Sequence, residues 1–148
     1  MEGEAVSLRT MAEIDEDTLA QLRTRAMEAA QHAYAPYSKF CVGAALLFDD
    51  GSVALGCNVE NMSYGLTSCA ERNALFRAIS ERGAGRRIRA IAVANRNGAA
   101  SPPCGACRQV MSEFVTADAV VTFPGENGPE THRFAEMFPW SFRLETRG

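Results

Sequence analysis

Two short cysteine-bearing segments, Cys69-Ala70-Glu71 and Pro103-Cys104-Gly105-Ala106-Cys107, constrain what this chain can fold into more than any other feature. A Cys-x-x-Cys pair offers two thiolates within reach of one metal ion, and a fold that brings Cys69 beside the pair supplies a third. A catalytic zinc site commonly uses three protein ligands and leaves the fourth position to water, whereas a structural site fills all four. Glu71, two residues beyond Cys69, then stands where a proton carrier beside an activated water is needed.

Each of these residues also has a plainer reading. A Cys-x-x-Cys alone fits a redox pair or half of a structural zinc site. The redox reading has no use for a third cysteine, and a structural site requires a fourth ligand. The two histidines are poorly placed to be that ligand: His32 falls in a helical stretch and His132 on a late edge segment. Ser68-x-x-Glu71 fits a capping box, in which the glutamate folds back onto the cap residue's N–H; its closeness to Cys69 favours catalysis. Cys41 and Cys57 lie in strand patterns and read as small buried hydrophobes. Phe40, Tyr64 and Phe142 fit ordinary core aromatics, and Asn58 and Glu60 fit turn polars.

The apolar periodicity implies alternating helices and strands. Leu19, Leu22, Ala26, Ala30 and Ala33 form a helical stripe with Asp17 or Thr18 as cap. Phe40 to Phe48, a turn at Asp49-Asp50-Gly51, and Ser52 to Val59 read as a hairpin. A second helix is expected from Cys69 to Arg82, ended by Gly83 and Gly85, and a doubly buried strand from Ile88 to Asn95. Cys104 opens a third helix carrying Val110, Met111, Phe114 and Val115. Ala119 to Phe123 reads as a strand, Pro124 to Pro129 as a turn, and Thr131 to Phe134 as a last strand. The expected fold is therefore α/β, a three-layer α/β/α arrangement around a central mixed sheet, with residues 1–16 a flexible tail and 17–148 a single domain. Both cysteine segments then sit at helix N-termini, where unpaired N–H groups and the helix dipole favour the thiolate.

Composition narrows the function. The chain has 148 residues, 47% hydrophobic and 22% charged, with a net charge of −3. That balance argues against a nucleic-acid binder relying on phosphate contacts. No apolar run approaches the ~20 residues of a membrane span. The acidic stretch from Met1 to Asp17 lacks the pattern of a signal peptide, and five cysteines, an odd number, favour metal or catalytic use over a disulfide framework. A cytoplasmic location is expected.

Four stretches in order resemble one family: residues 35–47 (Ala-Pro-Tyr-Ser-Lys-Phe-Cys-Val-Gly-Ala-Ala-Leu-Leu), 56–61 (Gly-Cys-Asn-Val-Glu-Asn), 69–72 (Cys-Ala-Glu-Arg) and 103–110 (Pro-Cys-Gly-Ala-Cys-Arg-Gln-Val). Together they resemble cytidine deaminase, in its small homotetrameric form with a three-cysteine zinc site, and the likeness runs from about Tyr34 to Phe142. The arrangement is the three-cysteine variant of a known zinc deaminase pattern. The resemblance implies one Zn²⁺ per subunit on Cys69, Cys104 and Cys107, with Glu71 as general acid/base. It further implies that Phe40 packs against the pyrimidine, Asn58 and Glu60 bind the ribose hydroxyls, and the Ala70 backbone touches the base. Arg72 and Arg108 would donate to the zinc thiolates, offsetting their charge. Tyr64 and Phe142 would help build a neighbouring subunit's site, so the active unit would be a homotetramer.

The chain departs from the family pattern at three places. Pro102 stands where Ser or Thr is usual, Cys41 where proline is common, and Met137-Phe-Pro-Trp-Ser-Phe142 replaces a Leu-Leu-Pro-x-x-Phe run. The expected reaction is hydrolytic deamination of cytidine and 2′-deoxycytidine. The alternatives are a deaminase of a cytosine-containing antibiotic such as blasticidin S, a polynucleotide-editing deaminase, and a non-catalytic zinc module.

Overall fold

The computed structural model describes residues 13–145. The expected tail therefore lies, for residues 1–12, outside the described residues; Glu16 is already helical. Helix α1 runs Glu16–Ala30 and is capped by Asp15, whose carboxylate accepts from the Thr18 N–H at 2.8 Å. The cap sits two residues earlier than Asp17, because Asp15 rather than Asp17 precedes the first turn. Strands β1 (Val42–Phe48) and β2 (Val53–Cys57) form the expected hairpin. Residues 40–41 are not part of β1, since they belong to a turn described below.

Helix α2 (Ala70–Arg82) leads to β3 (Ile88–Asn95), and α3 (Gly105–Met111) leads to β4 (Val115–Gly125). Here the expectation is corrected: α3 ends at Met111, and Val115 opens β4. Val115 and Thr116 are β-branched and favour the pleated strand, where Val115 pairs with Ile88. Strand β5 (Gly128–Arg133) returns through a tight turn with Gly128 at φ 113°, so Pro124 and Pro129 face each other across the ladder instead of forming a long loop. As an edge strand, β5 tolerates its proline. Phe134 begins a short helix, α4 (Phe134–Met137).

The sheet is mixed, in the order β2-β1-β3-β4-β5, with only the β3–β4 pair parallel. Strand alternation sorts its two faces. Ala45, Ala90, Ala92 and Ala94 meet Leu19, Leu22 and Ala26 of α1. Ala44, Leu46, Phe48, Ile91, Val93 and Val121 face Ala74, Leu75, Ala78 and Met111 of α2 and α3. This is the expected α/β/α layering.

Glycine sets how closely the helices approach. A Cβ on Gly56 of β2 would lie 2.4 Å from the Ala74 nitrogen and 2.5 Å from the Ala70 oxygen. Backbone atoms cannot step aside, so α2 packs directly on the hairpin and holds its N-terminus at the sheet. Gly56→Ala should destabilise the protein by on the order of 3 kcal/mol, the upper range for overpacking. The check is the urea midpoint; an unchanged midpoint would show that α2 can lift away without cost.

Candidate active site

The N-termini of α2 and α3 converge at one end of the sheet, each entered through a cysteine. Cys69 and Cys104 are the N-cap residues, both with extended backbone (φ/ψ −76°/157° and −70°/166°). Cys107 lies one turn into α3 and is fully buried, and its N–H donates to Cys104 Sγ at 3.5 Å. Cys69 Sγ is 3.8 Å from Cys104 Sγ, and Cys104 Sγ is 3.4 Å from Cys107 Sγ. All three sulfurs lie within 4.8 Å of one another, and all five cysteines are free thiols. The histidines are elsewhere: His132 stacks on Phe123 at 5.6 Å and contacts Glu130.

Three soft thiol donors in this triangle, with no fourth protein donor in the group among the described residues, suit a tetrahedral zinc with one open position. The surroundings favour thiolate. Arg72 Nη2 donates to Cys69 Sγ at 3.3 Å, and its Nε is buried without a partner. The hydrogen bond from Cys107 and the Arg72 guanidinium hold the Cys69 thiol down at about 5, while the same contact with Cys69, together with burial, pushes Cys107 up. The Arg72 pKa is raised by its bond to the Cys69 sulfur.

Glu71 is 4% exposed. Burial pushes its carboxyl up to about 7, with the Cys69 charge acting in the same direction. The capping box is not formed: Cys69 is the cap, and the Ser68 hydroxyl instead pairs with Asn73 Oδ1 at 2.6 Å. Asn73 also donates to the Cys57 and Ser68 carbonyls, at 2.8 and 3.3 Å, binding the start of α2 to the end of β2.

The segment 58–60 is held between two neighbours. Tyr34 N–H donates to the Asn58 carbonyl and Glu60 N–H to the Tyr34 carbonyl, while Val59 and Ser68 exchange both hydrogen bonds at 2.9 Å. The ladder through Ser68 places Asn58 and Glu60 beside Cys69. Period-two alternation turns both side chains inward and leaves Val59 45% exposed.

Inward, each side chain grips the turn that carries Phe40. Asn58 Nδ2 donates to the Phe40 carbonyl at 2.8 Å, and Asn58 Oδ1 accepts from Val42 N–H at 2.9 Å. Glu60 accepts from the Tyr37 and Ser38 N–H groups, at 3.0 and 3.1 Å, and from the Ser38 hydroxyl. These bonds, the Ser38 hydroxyl foremost, hold the Glu60 carboxyl below the usual range. Phe40 is half-buried.

Arg108 is placed differently from the sequence expectation. Its Nε donates to the Pro103 carbonyl at 2.8 Å and its Nη1 to the Met137 carbonyl at 3.0 Å, so it braces the Cys104 loop instead of contacting a sulfur. Tyr64 sits on a 3₁₀ turn (Tyr64–Leu66), 71% exposed, and packs edge-on against Tyr37 at 6.2 Å. Phe142 lies in a groove of about 970 Å³ whose lining includes Gln109, Val115, Phe134 and Phe138 but none of the three cysteines.

Residues 16–123 match the model of the cytidine and deoxycytidylate deaminase zinc-binding region. The chain belongs to this family. A cytidine deaminase of Halalkalibacterium halodurans is 52% identical over 81% of this chain and 90% of its own length. One from Mycobacterium tuberculosis is 44% identical over 84% of this chain and 89% of its own. The crystal structure of the Mycobacterium tuberculosis cytidine deaminase superposes with a TM-score of 0.74 at 41% identity, covering 89% of this chain and all of that one. That from Burkholderia pseudomallei gives 0.74 at 43% identity, over 83% of this chain and 98% of that one. Family membership, the α/β fold and a zinc-binding cysteine set are thus as the four motifs implied.

Sequence reasoning passed over Asn73, Asn95 and Asn97. The available signal was local: asparagine is a poor helix former, and Asn73 stands inside a helical stretch.

Proposed function

We propose that this enzyme deaminates cytidine and 2′-deoxycytidine hydrolytically to the corresponding uridines, with release of ammonia. The observation that carries this is the buried carboxyl of Glu71 beside the three converging sulfurs; Phe40, on the turn gripped by Asn58 and Glu60, is the side chain we assign to cover the base. Cys69, Cys104 and Cys107 would hold the zinc, which would supply Lewis acidity for activating water near neutral pH. Glu71, its pKa pushed up to about 7 by burial, can gain and lose a proton near neutral pH; in its protonated form it delivers that proton to ring N3 as hydroxide adds at C4. The same carboxyl then takes a proton from the added hydroxyl to the exocyclic amine, which leaves as ammonia. Arg72 offsets the thiolate charge at Cys69. The Ala70 backbone, at the first turn of α2, meets the base edge.

Asn58 and Glu60 bind the ribose hydroxyls with the capacity left over from the Phe40 turn. Contacts so far from C4 hold the ring in place for attack, which lowers the entropic part of the barrier. Glu60→Gln removes the charge that three donors now share. A hydrogen bond to a charged group contributes ~1.5–3 kcal/mol, so KM for cytidine should rise on the order of tenfold or more. An unchanged KM would remove Glu60 from the ribose site.

The assembly we propose is a homotetramer with shared sites, acting in the cytoplasm in pyrimidine salvage. In support, Tyr34, Val59, Met62, Tyr64 and Leu66 form an exposed apolar rim beside the site, and Phe142 is 67% exposed. The test is loss of cytosine absorbance on adding zinc-loaded protein to cytidine, deoxycytidine, blasticidin S and a short single-stranded oligonucleotide. Conversion of the two nucleosides is expected. Inertness toward both, at one zinc per chain, would overturn the assignment.

A further inference from the structure

The turn that presents Phe40 is gripped from a second side by residues that no motif includes. Lys39, just before Phe40, has φ 63°, the left-handed region that a lysine seldom adopts. Asn97, just beyond β3, closes on both flanks of Phe40: its Nδ2 donates to the Lys39 carbonyl at 3.0 Å, and its Oδ1 accepts from the Cys41 N–H at 3.1 Å. Asn58 holds Phe40's own carbonyl and the Val42 N–H. The Ser38 hydroxyl accepts from the Phe40 N–H at 3.0 Å. Every backbone polar group from the Lys39 carbonyl to the Val42 N–H is thereby engaged, since the Cys41 carbonyl accepts from the Arg96 N–H at 3.0 Å.

Asn97 is in turn placed by Asn95, which is 4% exposed. Asn95 Oδ1 accepts from the Asn97 and Ala99 N–H groups at 3.0 and 3.2 Å, and its Nδ2 donates to the Ala99 carbonyl and Ser101 Oγ, both at 2.8 Å. Ser101 N–H donates to the Pro124 carbonyl at 3.0 Å. That loop runs directly into Pro103 and Cys104. The two asparagines therefore tie the Phe40 turn to the same stretch of backbone that delivers two of the three sulfurs.

We infer that Asn97 is a positioning residue for the reaction: it fixes the Phe40 turn in its left-handed form and sets the ring's distance from the metal centre, with Asn95 as its support. The inference rests on the reading of Phe40 as the side chain that packs against the base. Asn97 suits such a role because it is itself exposed. Backbone pairing between β1 and β3 persists without its side chain, as Val42 pairs with Asn95 and Cys41 with Arg96. Removing the amide loosens a turn and leaves the core intact.

The experiment is a double-mutant cycle on the zinc-loaded enzyme with Asn97→Ala, Phe40→Ala and the pair, reading KM and kcat for cytidine, zinc content and melting temperature. Asn97→Ala should raise KM about tenfold, the effect of two lost neutral hydrogen bonds, with kcat within about twofold and zinc retained. The double variant should be no worse than Phe40→Ala alone. Asn97→Asp keeps the acceptor for Cys41 but sets an anionic oxygen against the Lys39 carbonyl, so its KM should rise at least as far as that of Asn97→Ala. An unchanged KM in Asn97→Ala while Phe40→Ala is impaired overturns the positioning role alone. So does a loss that adds fully to that of Phe40→Ala, or one that tracks lost zinc. An unimpaired Phe40→Ala overturns the base-contact reading, and the inference with it.

Discussion

Glu71→Gln should retain zinc and fold and lose about 10⁴-fold in kcat, the upper end for one acid–base group. The upper end is expected because one carboxyl serves both proton transfers, to ring N3 and to the departing amine. Retention of the fold follows from the environment. Glu71 is 4% exposed, and burial already disfavours its charged form, raising its pKa to about 7. A neutral amide of the same size therefore fits the site, and the melting temperature should not fall. Zinc should also stay, since the three sulfurs that converge are those of Cys69, Cys104 and Cys107. The check is single-turnover and steady-state conversion of cytidine alongside zinc stoichiometry. Turnover within tenfold of wild type at full zinc would remove Glu71 from the proton path.

How far the sequence speaks depends on whether a residue's role is local. The three sulfurs were legible because a Cys-x-x-Cys and a Cys-x-Glu at helix starts leave few other uses for three thiols, and both cysteines proved to be N-caps. Strand β3 was legible to the residue, because a run buried on both faces has a sharp apolar outline. Strand β4 was not: Thr116 and Asp118 interrupt the apolar run, and only pairing with β3 and β5 completes the strand. The Phe40 turn was read as strand because Phe40 and Cys41 continue the apolar pattern of β1. What bends the chain there is a set of side-chain hydrogen bonds from residues 58, 60 and 97, distant in sequence and invisible to periodicity. Arg108 shows the same limit: its position in a motif did not reveal that its Nε and Nη1 donate to the Pro103 and Met137 carbonyls.

Cys104→Ala should abolish stoichiometric zinc binding and lower stability. Cys104 contributes more than one bond to the site. Its sulfur is 3.8 Å from Cys69 Sγ and 3.4 Å from Cys107 Sγ, and it accepts the Cys107 N–H at the first turn of α3. Two thiols left on different helices hold an ion far less well than three, and alanine also removes the cap acceptor that orders the start of α3. Because zinc binds the folded chain, a protein with free zinc a thousandfold above Kd draws about 4 kcal/mol of stability from it; most of that gain should vanish in the variant. The effect should be specific to the triangle. Cys57→Ala, in β2 and outside the group of three, should keep one zinc per chain. Metal analysis after dialysis against a weak chelator separates the cases, with thermal unfolding of each variant with and without zinc. Wild type should show a zinc-dependent rise in melting temperature that Cys104→Ala lacks. Full zinc occupancy in Cys104→Ala would mean that Cys69 and Cys107 suffice, and would break the three-thiolate assignment on which the reading of the open fourth position depends.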